Sequence, residues 1–439
     1  MIEQLAELPT YEVYKDSGVE WLGEIPAHWE LSKLGTCLKP VSVKNRSDLP
    51  LLSITREKGV ITRNLDDEDE NHNFVPDDLS NYKVLEHGQF GINKMKAWQG
   101  SYGVSDFTGI VSPAYFIFAF AKPIAPKFFH LAIRSKLYTS FFGSASDGVR
   151  IGQWDLSKSR MKEIPFLIPS LPEQTAIAAF LNRKTAQIDQ AVAIKEQQIA
   201  LLKERKQILI QNAITRGFDP NVPMRDSGVE WIGEIPEHWE IKRAKYLFKE
   251  IDERSVSGEE ELLSVSHMTG VTPRSEKNVT MFMAEDYTGS KTCQKGDLVF
   301  NIMWAWMGAL GVSDRTGIVS SSYGVFRQMK NMFNQNYLEF LLKTTGYIEH
   351  YNKVSTGLHS SRLRFYSHMF FNMELGFPSK DEQDEIVAHI ETQSAKIELA
   401  IAIQQQQIDK LKEYKATLIN SAVTGKLKVT ELRECKDVG

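Results

Sequence analysis

DSGVEWLGEIPAHWE runs from Asp16 to Glu30, and DSGVEWIGEIPEHWE runs from Asp226 to Glu240. The two stretches differ only at Leu22/Ile232 and Ala27/Glu237. A match of that length marks an internal duplication, which decides the architecture before any local propensity is weighed. Outward from it the correspondence continues in order. Leu51-Leu52-Ser53-Ile54 answers Leu262-Leu263-Ser264-Val265, and each is followed by Gly-Val (Gly59-Val60, Gly270-Val271). Asn93, Ala97, Trp98 and Gly100 answer Asn301, Ala305, Trp306 and Gly308. GVSD at Gly103 answers GVSD at Gly311, and TGIVS at Thr108 answers TGIVS at Thr316. Tyr115 answers Tyr323, Gly148 answers Gly357, and Glu173-Gln174 answers Glu382-Gln383.

Between these anchors the copies diverge, around Asp66 to Asn81, Glu276 to Thr292, and Ile124 to Ser146 with its counterpart. A kept scaffold with changed loops is what a protein reading two targets with one fold needs, because binding loops vary while the framework stays. The first part of each copy mixes aromatic and β-branched residues with Gly turns, as in FGINKMKAWQGSYGVSD and LVFNIMWAWMGALGVSD. Pro50, Pro76, Pro113 and Pro273 punctuate short elements. Ala114 to Ala121 reads as a buried strand. This pattern predicts an α+β fold with twisted, mainly antiparallel sheets.

Each copy then changes character. From Glu173 to Arg216, and from Glu382 to Thr424, proline is absent and good helix formers dominate. Pro172 and Gly217 bracket the first of these segments. Apolar residues step by three and four through Ile188, Val192, Ile199, Leu202, Leu209 and Ala213. The second copy gives Ile397, Ile401, Ile408, Leu411, Leu418 and Ala422. These are a and d seams. A helix of about 40 residues is roughly 60 Å long, and its stripe needs a partner. Tandem copies related by a pseudo-twofold axis set the two helices antiparallel, as a coiled coil within the chain; pairing between two chains is the alternative. Lys195, Lys206, Gln404 and Lys415 interrupt the seam. Such breaks fix register or contact another subunit. The coil would act as a ruler between half-sites, which lie roughly 34–36 Å apart when one turn of duplex separates them.

Composition narrows the class. The 439 residues suit two to four domains. No apolar run is long enough to cross a bilayer. The N-terminal MIEQLAELPT lacks the features of a signal peptide, so a cytoplasmic location is expected. Cys37, Cys293 and Cys435 are scattered and make no zinc spacing. The net charge of −4 gives no bulk support for nucleic-acid binding. Any DNA surface must come from local segregation, and Lys33, Lys39, Lys44, Arg46, Arg56, Lys58 and Arg63 do fall in a stretch poor in acids. The run Asp66-Asp67-Glu68-Asp69-Glu70 lacks the alternation of a calcium loop and reads as a solvated loop.

The ordered set of motifs, present twice, resembles the type I restriction–modification specificity subunits over nearly the whole chain. Gly23 to Glu30 and Gly233 to Glu240 resemble the opening of that family's target-recognition domains. IPSLPEQTAIAAFL at Ile168 resembles its junction into a spacer helix. QQIALLKERKQILIQNAITRG and QQIDKLKEYKATLINSAVTGK resemble the spacer helices. The second junction reads GFPSKDEQ, without Leu-Pro, which leaves the start of that helix open. The resulting partition is target-recognition domain 1 over 1–170, spacer helix 1 over 171–217, a linker over 218–225, target-recognition domain 2 over 226–379, spacer helix 2 over 380–426 and a tail over 427–439. The resemblance implies a non-catalytic subunit that reads an asymmetric, bipartite site in double-stranded DNA. It implies two modification (adenine methyltransferase) subunits carrying S-adenosylmethionine as partners, and restriction subunits that use ATP. The chain itself would hold no cofactor and no metal. A duplicated protein–protein scaffold without DNA is the rival reading, and an enzyme with an unrecognised site is a third.

The residues show no phosphate loop, GxGxxG, HExxH or methyltransferase tetrapeptide. Pro76-Asp77-Asp78 lacks the companion residues of a nuclease site and reads as a turn. His28 and His238, each between Pro-Ala/Glu and Trp, read as framework. DNA contacts need Lys and Arg for phosphates, and Arg, Lys, Asn and Gln for base edges. Those types in Gly- and Trp-punctuated segments are Lys94, Lys96, Arg150 and Gln153 in the first copy. In the second they are Asn301, His359, Arg362 and Arg364. Trp98 and Trp306 read as core before stacking platforms.

Overall fold

The computed structural model describes residues 9–63, 76, 78–148, 154–277, 286–357 and 363–429. The chain forms two compact units. Unit 1 takes residues 1–196 with 405–439, and unit 2 takes 197–404. Each unit is a sheet domain plus part of both long helices, the first at Leu171–Arg216 and the second at Lys380–Val423. By packing, then, the helices are not separate segments, as the sequence partition drew them.

In unit 1 four antiparallel strands lie in the order Leu38–Val41, Phe116–Phe120, Phe90–Ile92 and Tyr102–Val104. The central strand FIFAF explains how this sheet is buried on both faces, because alternate side chains point to opposite sides. Ile117 joins a small cluster with Leu52, Ile54, Val60, Leu85 and Val111, contributed by the flanking hairpins. Phe118 joins the large cluster that holds Phe90, Phe128, Phe129, Tyr138 and Phe142. Two helices, Pro126–Ile133 and Lys136–Ser144, supply the last four.

Unit 2 repeats the order with Phe248–Glu250, Gly324–Gln328, Leu298–Phe300 and Leu310–Val312. Phe118 sits opposite Phe90, and its counterpart Phe326 sits opposite Leu298, so register is kept. Among the described residues the strand ladders are antiparallel, and parallel pairing is confined to the single bridges Leu51–Ile110 and Leu262–Ile318. The TGIVS repeat is explained there. A Cβ on Gly109 or Gly317 would lie 2.4 Å from the carbonyl oxygen of Pro50 or Glu261. Both units carry the helix pair, at Gln335–Leu342 and Thr345–Val354 in unit 2. The sequence reading did not single it out, since its residues diverge between the copies.

Each long helix opens on a Ser-x-x-Glu signature that makes one of the two bonds of a capping box, the Ser170 N–H donating to Glu173 at 3.3 Å in the first. Ser170 Oγ donates to Glu173 at 2.9 Å, and the Glu382 N–H donates to Ser379 Oγ at 3.3 Å. The second helix therefore begins at Lys380 without the Leu-Pro of the first.

Within each unit the two helices run antiparallel and meet along the expected seam. In unit 1, Ile188, Ile408 and Leu418 are buried, and Val192 and Leu411 pack against the core cluster. In unit 2, Ile397 is buried, Leu209 packs against the core, and Ile199, Leu202 and Ile401 are half-buried. Three of the polar breaks reach across the seam. Lys195 donates to Gln407 (2.5 Å) and Lys415 to Asp189 (2.6 Å) in unit 1, and Lys206 to Glu398 (2.5 Å) in unit 2. These bonds fix the register of two chains of apolar contacts that could otherwise slide. Leu418 is fully buried, so Leu418→Ala should cost about 2–5 kcal/mol. Urea unfolding checks this, and a loss under about 1 kcal/mol would place that residue outside the seam.

Candidate nucleic-acid interface

The repeated Asn-x-Met-x-Ala-Trp-x-Gly segment forms the same turn in both units. A single 3-10 turn, Ala97–Gln99 or Ala305–Met307, ends on a left-handed glycine, Gly100 (φ 96°) or Gly308 (φ 79°). Glycine is needed because a side chain disfavours that backbone region. The opening asparagine ties the turn down. Asn93 and Asn301 are buried; each amide nitrogen donates to a tyrosine hydroxyl (Tyr115, Tyr323; 3.1 Å), and each amide oxygen accepts from the N–H of Met95 or Met303.

A second segment packs on this turn. In unit 1 the two-residue strands Ser146–Asp147 and Asp155–Leu156 pair, and the Leu156 N–H donates to the Lys94 carbonyl at 2.9 Å. Trp154 lies against Trp98, ring centroids 5.0 Å apart. In unit 2, Thr356 bridges Arg364, and the Phe365 N–H donates to the Ile302 carbonyl at 2.9 Å. The structure thus brings the described candidates together, Lys94 and Lys96 in unit 1 and Asn301 and Arg364 in unit 2. Lys96 is exposed on the turn; Lys94 is half-buried and paired with Asp155 at 3.0 Å; Arg364 is half-exposed on the foot of the second hairpin. Arg150, Gln153, His359 and Arg362 lie outside the described residues, in the stretches between those feet. Asn301 differs in kind, since its amide is already engaged in holding the turn.

The sequence reading named Lys44 and Lys94 but missed Lys83 and Lys158, which join them in a lysine cluster in unit 1. Lys83 is half-buried and donates to the Tyr115 carbonyl at 2.7 Å. Burial first, and then neighbouring Lys44, Lys158 and Lys94, hold its ammonium below the ordinary lysine range. Lys158 stands over the rings of Phe116 and Phe118 at 5.7 and 5.8 Å. Four ammonium groups gather around Lys83, and among the described residues Asp155 alone is ion-paired to one of them; together they make a surface suited to phosphate oxygens. The same place in unit 2 is charge-balanced. Lys291 takes the position of Lys83 in the strand pairing, and it lies 3.7 Å from Glu250 and 3.5 Å from Asp252.

The sheet domains are latched to the helices by the motifs that revealed the duplication. The His28 ring nitrogen lies 3.0 Å from Glu173, and the Trp29 indole N–H donates to the same carboxylate. His238 and Trp239 do the same to Glu382, at 2.8 and 3.0 Å. The neighbouring glutamines, Gln174 and Gln383, are fully buried. These histidines hold the framework. Cys37 and Cys293 are buried. Cys435 and the acidic run from Asp66 to Glu70 lie outside the described residues, as does Asp77; Asp78 accepts from the Ser80 N–H in a turn. Among the described residues no helix is long and apolar enough to cross a membrane, and no three His, Cys, Asp or Glu side chains are grouped to hold a metal ion.

One substitution between the copies carries a pH signature. In unit 2, Glu339 accepts from the Val312 N–H at 2.9 Å; in unit 1, His130 accepts from the Val104 N–H through Nδ1 at 3.2 Å. An accepting Nδ1 is unprotonated. Burial, and then Arg134, push His130 below the ordinary histidine value. Its contribution to stability is therefore complete above about pH 6.5 and is lost as pH falls below that, where the unfolded chain takes up the proton first. Unit 1 should lose stability between pH 7.5 and 5.5, and His130→Glu should remove most of that loss. Urea midpoints at both pH values test this; an unchanged pH dependence in the variant would assign it elsewhere.

No family model matches the chain. A curated relative, the type I restriction enzyme MjaVIII specificity subunit of Methanocaldococcus jannaschii, is 24% identical over 315 residues, covering 68% of this chain and 69% of that protein. Among solved structures, the HsdS subunit from Thermoanaerobacter tengcongensis shares the fold with a TM-score of 0.54 at 14% identity, over 92% of this chain and 98% of that one. A chain from a structure describing complex assembly and conformational transition of the type I R-M system gives 0.63 at 16% identity, over 92% and 99%.

Proposed function

We propose that this chain, similar in sequence to a type I restriction specificity subunit and in fold to HsdS, is the DNA-reading subunit of a type I restriction–modification complex. Each unit reads one half of an asymmetric, bipartite target in double-stranded DNA. The observation that carries the reading is one turn-and-hairpin frame built twice with different side chains on it. Unit 1 presents Lys96 and Gln99 where unit 2 presents Trp304 and Met307. A scaffold that bound two copies of one partner would have no use for that difference, whereas an asymmetric DNA site requires it.

The long helices set the separation of the half-sites and dock two methyltransferase subunits. Exposed Leu201, Ile208, Leu399 and Ile403 on the helix segments of unit 2 support docking, since apolar side chains left in water on a rigid helix are a partner surface. The chain performs no catalysis in this scheme. S-adenosylmethionine resides on the methyltransferase subunits and ATP on any restriction subunits, and the complex works in the cytoplasm. Mapping N6-methyladenine across the genome with and without this chain tests the role. Deletion should erase one split motif, and an unchanged pattern in a strain where the system is active would refute it.

A further inference from the structure

We infer that unit 2 recognises its half-site through thymine methyl groups, contacted by Trp304 and Met307. The inference rests on the DNA-reading role and adds the chemistry of one half of it.

Trp304 is 46% exposed and Met307 37% exposed, both on the tight turn whose counterpart in unit 1 carries Lys96 and Gln99. The Trp304 ring lies beside Trp306, centroids 5.9 Å apart. The Trp306 indole N–H is already engaged with the Met303 carbonyl at 3.1 Å, so that ring supports its neighbour and offers no free donor. The turn is rigid: Gly308 closes it, buried Asn301 pins its start, and the Phe365 N–H bonds to the Ile302 carbonyl. Unit 1 exposes Met95 on this turn, but at the positions of Trp304 and Met307 it carries the hydrogen-bonding Lys96 and Gln99, so the apolar surface there belongs to unit 2. Lys291 on the same unit is matched by Glu250 and Asp252, so phosphate attraction is weaker there than on the lysine face of unit 1. In the major groove the one apolar feature of a base pair is the C5-methyl of thymine. An apolar turn on a charge-balanced face gains its discrimination from that group.

The test uses the full chain assembled with its methyltransferase subunits, and duplexes carrying the mapped target with uracil replacing thymine in one half-site at a time. Uracil keeps every hydrogen-bonding edge and lacks only the methyl. Binding should weaken about four-fold for each buried methyl removed, in one half-site and not in the other. Trp304→Ala should erase that difference, while Lys96→Ala should leave it intact. Equal sensitivity of both half-sites, or of neither, overturns the inference. So does a Trp304→Ala complex that assembles poorly yet still distinguishes uracil, which would make the turn a protein contact. Failure to bind the all-thymine duplex specifically would instead remove the DNA-reading role on which the inference stands.

Discussion

Gln174→Ala should destabilise unit 1 by about 3 kcal/mol or more, although the residue touches no proposed ligand. Its side chain is fully buried at the start of the first long helix. The amide oxygen accepts from the Ala125 N–H at 2.7 Å, and the amide nitrogen donates to the carbonyls of Pro169 (2.9 Å) and Pro123 (3.4 Å). Truncation leaves a backbone donor and carbonyl acceptors without partners, each costing about 1–3 kcal/mol, and opens a cavity besides. Gln174→Glu should not rescue it, because a carboxylate has no proton for the Pro169 carbonyl. Gln383→Ala should behave alike in unit 2, where the amide bonds Asn334, Pro378 and Met332. Urea unfolding measures both. A cost below about 1 kcal/mol would mean that the sheet domains do not depend on this latch.

The second large effect concerns charge. Replacing Lys44, Lys94 and Lys158 together by alanine should weaken DNA binding on the order of a hundred-fold, and should lower the salt slope by about 3. The loss should be uniform across sequences, because phosphates carry no base identity. Lys83 is left intact in this variant, since its bond to Tyr115 is part of the fold. Lys291→Ala in unit 2 serves as the comparison; its charge is matched by Glu250 and Asp252, so the slope should change by less than 1. Titrations across a range of salt decide between the two. An unchanged slope in the triple variant would mean that the lysine face points away from DNA.

These expectations show which parts of the molecule were legible in sequence. The duplication, the antiparallel sheets and the helix seam follow from repeated motifs and apolar spacing, which are local signals. The Ser-x-x-Glu signatures Ser170-x-x-Glu173 and Ser379-x-x-Glu382 were also readable, and the second would have fixed the start of the second helix. The lysine face was not, because Lys44, Lys83, Lys94 and Lys158 lie far apart in the chain and meet only through the packing of strands and a short helix. Asn301 was chosen for its hydrogen-bonding chemistry, yet its identical counterpart Asn93 carried the opposite message. A residue unchanged in both copies holds the frame, and a position that differs between them, such as Lys96/Trp304, is where the proposed role puts the reading of different targets.

The central claim is that two differently furnished copies of one frame read two parts of one duplex. Selection from a random duplex library by the assembled complex tests it most directly. Two specified blocks should emerge with a gap of fixed length and free composition, and the frame-surface substitutions in one unit should relax one block only. Enrichment of a single uninterrupted block, or of no sequence at all, would contradict the claim.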